Sequence, residues 1–291
     1  MQFGPDQVIA CPTCGGLAKF FTIFMCLSRD PLRARLWTDG KMRPPMLPET
    51  PPITKCYWCG SYFWLSDAKV VGNLSPDADV EREKAPLAWR AAPQVEPLAE
   101  SECLEALVIS MAGTRDQEIY LRIRAWHTGN DPLRARGDLD PKLMATVRKR
   151  ASDLPPDRRA AELLYLKDLR RQVKDDAKRH RLLAGANRSK EAVGNLVRLA
   201  ELLDTGDPSQ RLMRAEVLRE LGRFAEAMTL LREKFPDGYS ARAVHLRRLI
   251  RKKDTVVHEV PGRGWPLALR RLVCDQESAD LLCQRRGRDR A

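Results

Sequence analysis

The chain predicts an α+β fold, with a small β region at its N-terminus and a mostly α-helical remainder. Three observations carry that prediction. Two Cys-x-x-Cys-Gly segments occur within the first 60 of 291 residues, each flanked by short runs of strand-forming residues. Apolar residues alternate with a period near two through this region. After about residue 100 they recur with the 3.6-residue period of an amphipathic helix, and a proline-containing stretch separates the two regimes.

The first segment is Cys11-Pro12-Thr13-Cys14-Gly15 and the second is Cys56-Tyr57-Trp58-Cys59-Gly60, with 41 residues between Cys14 and Cys56. Two intervening residues let the backbone turn so that both sulfurs face one point, and a Gly directly after takes positive φ at little cost. Cys11, Cys14, Cys56 and Cys59 would then complete a tetrahedral sphere with no open position for a catalytic water. The expected site is structural, and the expected cofactor is one Zn²⁺. Val8-Ile9-Ala10 leads into the first knuckle, and Leu17 to Met25 reads as the strand leaving it. Ile53-Thr54-Lys55 leads into the second, and Ser61 to Leu65 ("SYFWL") leaves it, rich in aromatic strand formers.

Between the knuckles, Asp39-Gly40 in "LWTDGKM" is a two-residue hairpin signal. Five prolines from Pro44 to Pro52 cannot join a sheet interior and read as an extended strap. The pattern resembles a zinc ribbon, two β-hairpin knuckles clamped on one ion, over roughly residues 6–70; residues 1–70 are assigned to this unit. Rubredoxin-like iron sites use the same cysteine pairs, which leaves an iron electron carrier as an alternative.

Residues 71–99 read as a linker, with Trp89 docking on a neighbour. Residues 100–255 read as a helical domain. Cys103, Leu104, Leu107, Val108 and Met111 form its first stripe. Thr114 and Gln117 make a capping box for the next helix, which carries Ile119, Ile123 and Trp126 and is expected to end at Gly129. Residues 156–183 form a charged helix with a thin stripe of Leu163, Leu166, Leu169 and Val173. Ser189 and Asn187 compete to cap a helix bearing Val193, Leu196, Val197, Ala200 and Leu203. Asp207-Pro208 starts another, with Asp as N-cap and Pro at the first helical position, and Gly222 ends it. The last helix would turn Ala241, Val244, Leu249 and Ile250 inward. Residues 256–291 read as a C-terminal extension, partly disordered, with four Arg between Arg285 and Arg290.

"AEVLRELGRFAEAMTLL" (Ala215 to Leu231) resembles the centre of a tetratricopeptide repeat, placed at 208–235: small Ala215 and Ala227 permit a close helix crossing, and Phe224 fills the start of the second helix. No period of ~34 residues is visible. With the two knuckles, "WTDGKM", "CGSYFWLSDA" and "YLRIRAW", the whole chain resembles an uncharacterised bacterial group that joins an N-terminal zinc ribbon to a tetratricopeptide-like helical part. That resemblance implies an architecture and no activity.

The formal net charge is +12. Residues 1–100 hold 11 Lys and Arg against 11 Asp and Glu, so all of the excess lies in the helical region. A basic balance favours acidic partners, nucleic acid included, although here it is interleaved with acids. No apolar run approaches the ~20 residues needed to span a bilayer, so no membrane partner is expected. "MQFGPDQVIA" has no basic and then apolar signal pattern, and a cytoplasmic location is the expectation. Eight cysteines in a reducing compartment point to metal rather than disulfides. Cys103 reads as core, while Cys26, Cys274 and Cys283 have no assigned role.

No Walker-type phosphate loop, strand-borne Gly-x-Gly-x-x-Gly, Gly-x-Ser-x-Gly or His-Glu-x-x-His occurs. His127, His180, His245 and His258 are isolated and read as surface or packing residues. The expectation is therefore a non-enzymatic, zinc-stabilised interaction protein whose helical surface takes a protein or peptide partner, with nucleic-acid binding as the alternative. Metal removal is expected to unfold about the first 70 residues and leave the helices intact.

Overall fold

The structure, a computed structural model, describes residues 2–25, 35–43, 50–75, 85–134 and 188–260, with isolated positions between 155 and 175. The fold is α+β: small antiparallel sheets occupy the N-terminal part and helices follow.

Strands β1 (Gln2–Phe3), β2 (Asp6–Ala10), β3 (Leu17–Phe20) and β4 (Ile23–Met25) come first. The run from Leu17 to Met25 is two strands rather than one. It breaks at Phe21-Thr22, where the Thr22 hydroxyl donates to the Pro5 carbonyl at 2.8 Å, and β4 turns to pair with β1. Strands β5 (Arg35–Leu36) and β6 (Met42–Arg43) form a hairpin, and β7 (Ile53–Lys55) and β8 (Tyr62–Trp64) form another. The stretch read as a linker starts inside β9 (Lys69–Leu74), which pairs antiparallel with β2 and completes a sheet of order β3-β2-β9. Central β2 is covered on both faces, so consecutive Val8 and Ile9 are both buried. Trp89, on the short helix α1 (Leu87–Arg90), lies flat on β9: a Cβ added at Gly72 would meet its ring at 2.0 Å. Residues 93–95 then run beside β3, with Lys19 N–H donating to the Pro93 carbonyl and Val95 N–H to that of Lys19.

The helices are α2 (Glu100–Val108), α3 (Arg115–Arg134), α4 (Lys190–Leu202), α5 (Pro208–Glu220), α6 (Phe224–Leu230) and α7 (Asp237–Arg251). Their starts follow local chemistry. Thr114 and Gln117 exchange both capping-box bonds at 3.2 Å. Ser189 caps α4 by accepting from Ala192 N–H, and Asp207 caps α5 by accepting from Gln210 N–H at 2.7 Å. Helix α5 stops at Gly222, whose φ is 76°. Helix α3 does not end at Gly129 but continues for more than a turn. Gly129 sits against the Glu100 carboxylate of α2, which a Cβ there would meet at 2.5 Å.

Two cores result. One joins α3 to α7 around Trp126, Leu196, Leu199, Leu212 and Leu246. Each is 2% exposed or less, and burying such a side chain stabilises by roughly 1.5–3 kcal/mol. Ala215 and Ala227 are fully buried where α5 and α6 pack. The other core joins the β region to α2 and α3 through Ile53, Tyr62, Trp64, Cys103, Ala106 and Leu121. There the Trp64 indole donates to the Met111 carbonyl at 2.8 Å, and the Tyr62 hydroxyl to the Glu105 carboxylate at 2.5 Å.

Some helix faces differ from expectation. Val108 is 82% exposed, because α2 ends there and turns away, and Val244 is 60% exposed. On α7 the inward positions are Arg242, Ala243, Leu246, Leu249 and Ile250. Within 156–183, the described positions Arg158, Leu164, Lys167, Asp168, Arg171 and Asp175 are helical and exposed, while Leu163, Leu166, Leu169 and Val173 lie outside the described residues. Asn187, His180, residues 261–291 and most of the proline strap lie outside them too. Among the described residues, no helix is long and apolar enough to cross a membrane.

Candidate metal centre

Each knuckle is the turn of its own hairpin. The first connects β2 to β3, closing on the Ala10–Leu17 pair, and the second connects β7 to β8, closing on Lys55–Tyr62. Their backbones match bond for bond. Gly15 N–H donates to Cys11 O and Gly60 N–H to Cys56 O, both at 2.9 Å; Cys11 N–H donates to Gly16 O at 2.9 Å and Cys56 N–H to Ser61 O at 2.8 Å. Gly15 and Gly60 sit at φ 72° and 74°, in the left-handed region where a Cβ would be strained.

The two turns face each other, so that four sulfurs from sites 42 and 48 residues apart meet. The Sγ atoms of Cys11, Cys14, Cys56 and Cys59 all lie within 4.8 Å of one another. Cys14 and Cys56 are 3.7 Å apart, and Cys11 and Cys59 3.9 Å. A tetrahedral ion bonded to sulfur at ~2.3 Å requires edges of about 3.8 Å. Disulfides would need ~2.05 Å, and all four cysteines are free. The cluster fits a four-thiolate metal centre. Cys11 and Cys56 are buried against Ile9 and Phe63, whereas Cys14 and Cys59 face solvent.

The thiols differ in acidity. Cys59 is drawn down to about 6 by the Ser61 hydroxyl, 3.4 Å from its sulfur, and then by the Ser61 backbone N–H. Burial pushes Cys56 up. At Cys14 the Gly16 N–H pulls the thiol down, but Cys59, desolvation, Cys56 and Cys11 outweigh it and lift it to about 12. Four thiolates this close repel one another unless a cation sits among them; a bound metal removes that conflict and deprotonates all four.

Trp58 ties one knuckle to the other. Its indole donates to the Leu17 carbonyl at 2.9 Å, and its ring covers Gly16, where a Cβ would approach to 2.3 Å. The five aromatics near the second knuckle divide sharply: Tyr62, Phe63 and Trp64 are core, while Tyr57 and Trp58 are 77% and 59% exposed. Cys103 is buried in the second core, away from the cluster, and burial pushes its thiol to about 12. Cys26, Cys274 and Cys283 lie outside the described residues.

A second constellation was not legible beforehand. Asp39-Gly40 does form a hairpin, with a three-residue loop instead of two: Gly40 N–H donates to Trp37 O, Trp37 N–H to Lys41 O, and Gly40 has φ 88°. Its tip is buried among helices. The Asp39 carboxylate pairs with Arg134 of α3 and accepts from the Asn130 amide at 3.1 Å. Thr38 accepts Arg242 Nε of α7 on its carbonyl at 2.9 Å and hydrogen-bonds Glu216 of α5 with its hydroxyl. Lys41 pairs with Asp131 at 2.7 Å. Residues 256–260 close the other side, Val260 N–H donating to Leu36 O and Thr38 N–H to His258 O, both at 2.8 Å. Arg219 reaches from α5 to Glu216 and to the Val256 carbonyl. Glu220 accepts from Trp126, Asn130 and Arg188. Burial lowers Arg134 and Arg242 to about 10.

Comparison of the chain with known protein families, curated proteins and solved structures finds no match in any of the three.

Proposed function

We propose that this chain is a non-enzymatic interaction protein held by one structural Zn²⁺ on Cys11, Cys14, Cys56 and Cys59, with its helical face serving a protein partner. The support is the sulfur geometry: paired edges of 3.7 and 3.9 Å, delivered by two matched knuckles, suit a closed tetrahedral site with no position left for a substrate or catalytic water. Within this reading the chain keeps its likeness to the bacterial zinc-ribbon and tetratricopeptide-like group. The α5–α6 hairpin, with Ala215 and Ala227 at its crossing, is the repeat-like unit. Exposed apolar side chains at Val193 and Val197 on α4 and at Val108 and Ile109 at the end of α2 supply contact surface for a partner.

Protein purified without chelator is expected to carry one zinc per chain and to stay colourless. A red protein that bleaches on reduction would assign iron and an electron-transfer role instead. A second reading, nucleic-acid binding, has one observation in its favour. Arg248, Arg251, Lys252 and Lys253 are exposed together at the end of α7, with no ion pair among the described residues. Phosphate contacts there would give binding that weakens steeply with salt. Binding without that slope, or none, excludes it.

A further inference from the structure

We propose that the hairpin between the knuckles is a clasp that makes the packing of the helical half depend on the four-cysteine centre. The inference rests on the metal reading above. It replaces the expectation of a ribbon that unfolds by itself.

The clasp has a buried tip and a tethered base. Trp37, Thr38 and Asp39 are 4% exposed or less, although they belong to a connection between two surface knuckles. They touch α3, α5, α7 and the 256–260 segment at once. Withdrawing the tip would strip Asp39 from Arg134. It would also remove the Thr38 carbonyl, which is the hydrogen-bond acceptor of Arg242 among the described residues. Arg134 would be left with Asp131, and Arg242 would keep the charge of Glu216 but lose that acceptor, so two buried guanidiniums would be less fully satisfied, at a cost to the helices packed around them. The helical half therefore needs the hairpin.

The hairpin in turn needs its base. Cys14 opens and Cys56 closes the 41-residue connection that carries the tip. Bridging these sulfurs through one ion shortens the free loop of the unfolded chain, which is where a cross-link of this span stabilises most. Without the ion, the anchors are four short strand pairings, β2 with β3, β2 with β9, β7 with β8 and β1 with β4, together with the packing of β7 and β8 on α2 and α3. Cys14 and Cys59 face solvent, so the ion is within reach of competing ligands while the clasp is out of reach. The centre thus reports its own occupancy to helices it does not touch.

Hydrogen exchange, read by mass spectrometry on the full chain before and after metal withdrawal by a chelator, tests this. Protection of α3, α5 and α7 amides is expected to fall roughly a hundred- to a thousandfold, together with that of β2 and β7. Strands that open while those helices keep their protection overturn the inference. The Trp37→Ala variant keeps all four thiolates and is expected to bind one metal per chain, with helices already unprotected and no longer responsive to chelation. Helices that stay protected and metal-responsive in that variant also overturn it. Elemental analysis separates the two levels. Absence of metal sinks the metal reading and the clasp together, whereas retained metal with unresponsive helices sinks the clasp alone.

Discussion

Replacing Asp39 by Ala removes one carboxylate from the loop tip and leaves its partners in place. Both its side chain and that of Arg134 are fully buried, so water cannot take over the lost interaction. Breaking such a pair from one side costs about 3–5 kcal/mol, chiefly because the remaining charge stays desolvated. The Lys41 N–H, which donates to Asp39 Oδ1 at 3.1 Å, loses that acceptor as well. Arg134 keeps Asp131 at 2.6 Å, which holds the effect toward the lower end of that range. At ~2–4 °C per kcal/mol for a unit of this size, the melting temperature should drop by roughly 6–15 °C. Far-UV circular dichroism of the metal-loaded protein is the assay, since it reads helices distant in sequence from residue 39. The double variant Asp39→Ala/Arg134→Met, which removes both charges, should recover more than half of the loss. A single variant within ~0.5 kcal/mol of the parent would refute the account of the buried tip, as would a double variant whose losses simply add.

Three further perturbations read other parts of the structure. Burial pushes the Asp254 carboxyl up, but hydrogen bonds from His258 and Val256 N–H, with the charge of Arg219, outweigh it and hold it near 2, against 3.8 for the free group. A depressed carboxyl contributes stability above the unfolded value and loses it as pH falls through the folded one. Asp254→Asn should therefore cost about 1–2 kcal/mol at pH 7, with the gap to the parent closing between pH 4 and pH 2 in denaturant titrations. Gly72→Ala should destabilise by about 1–3 kcal/mol through collision with the Trp89 ring, and adding Trp89→Ala should relieve part of it in a double-mutant cycle. Cys103 should resist alkylation at pH 8 in the metal-loaded protein and become reactive once chelation opens the strands packed on it, as peptide mapping would reveal; Cys103→Ala should leave metal stoichiometry unchanged.

The metal site was legible because its chemistry is local. Cysteine spacing and a following glycine determine a knuckle by themselves, and two knuckles in register leave few alternatives. Helix starts were legible for the same reason: Thr114, Ser189 and Asp207 cap within four residues of their own position. What escaped was non-local. Residues 71–99 read as a linker, and the β2 edge beside Lys69–Leu74 and the Trp89 ring over Gly72 explain why its first residues pair as a strand. Gly129 reads as a helix stop, although the helix runs through it to Arg134 with the Glu100 carboxylate packed against it. Arg242 and Glu216 occupy inward helix positions that a hydrophobic pattern assigns to solvent, because Thr38 meets them from a loop about 200 residues away, and Glu220 does so because Trp126, Asn130 and Arg188 donate to it. One signal was present: charged residues interrupting the apolar side of α5 and α7, which requires a compensating charge somewhere in the chain. The sequence does not say where that charge lies.

X-ray absorption at the zinc edge, on protein purified without chelator, addresses the four-sulfur centre most directly. One ion per chain with a first shell of four sulfurs at about 2.3 Å is the expected spectrum. A chain that retains no ion, or one whose shell mixes in oxygen or nitrogen, would contradict the convergence of Cys11, Cys14, Cys56 and Cys59 on a single metal.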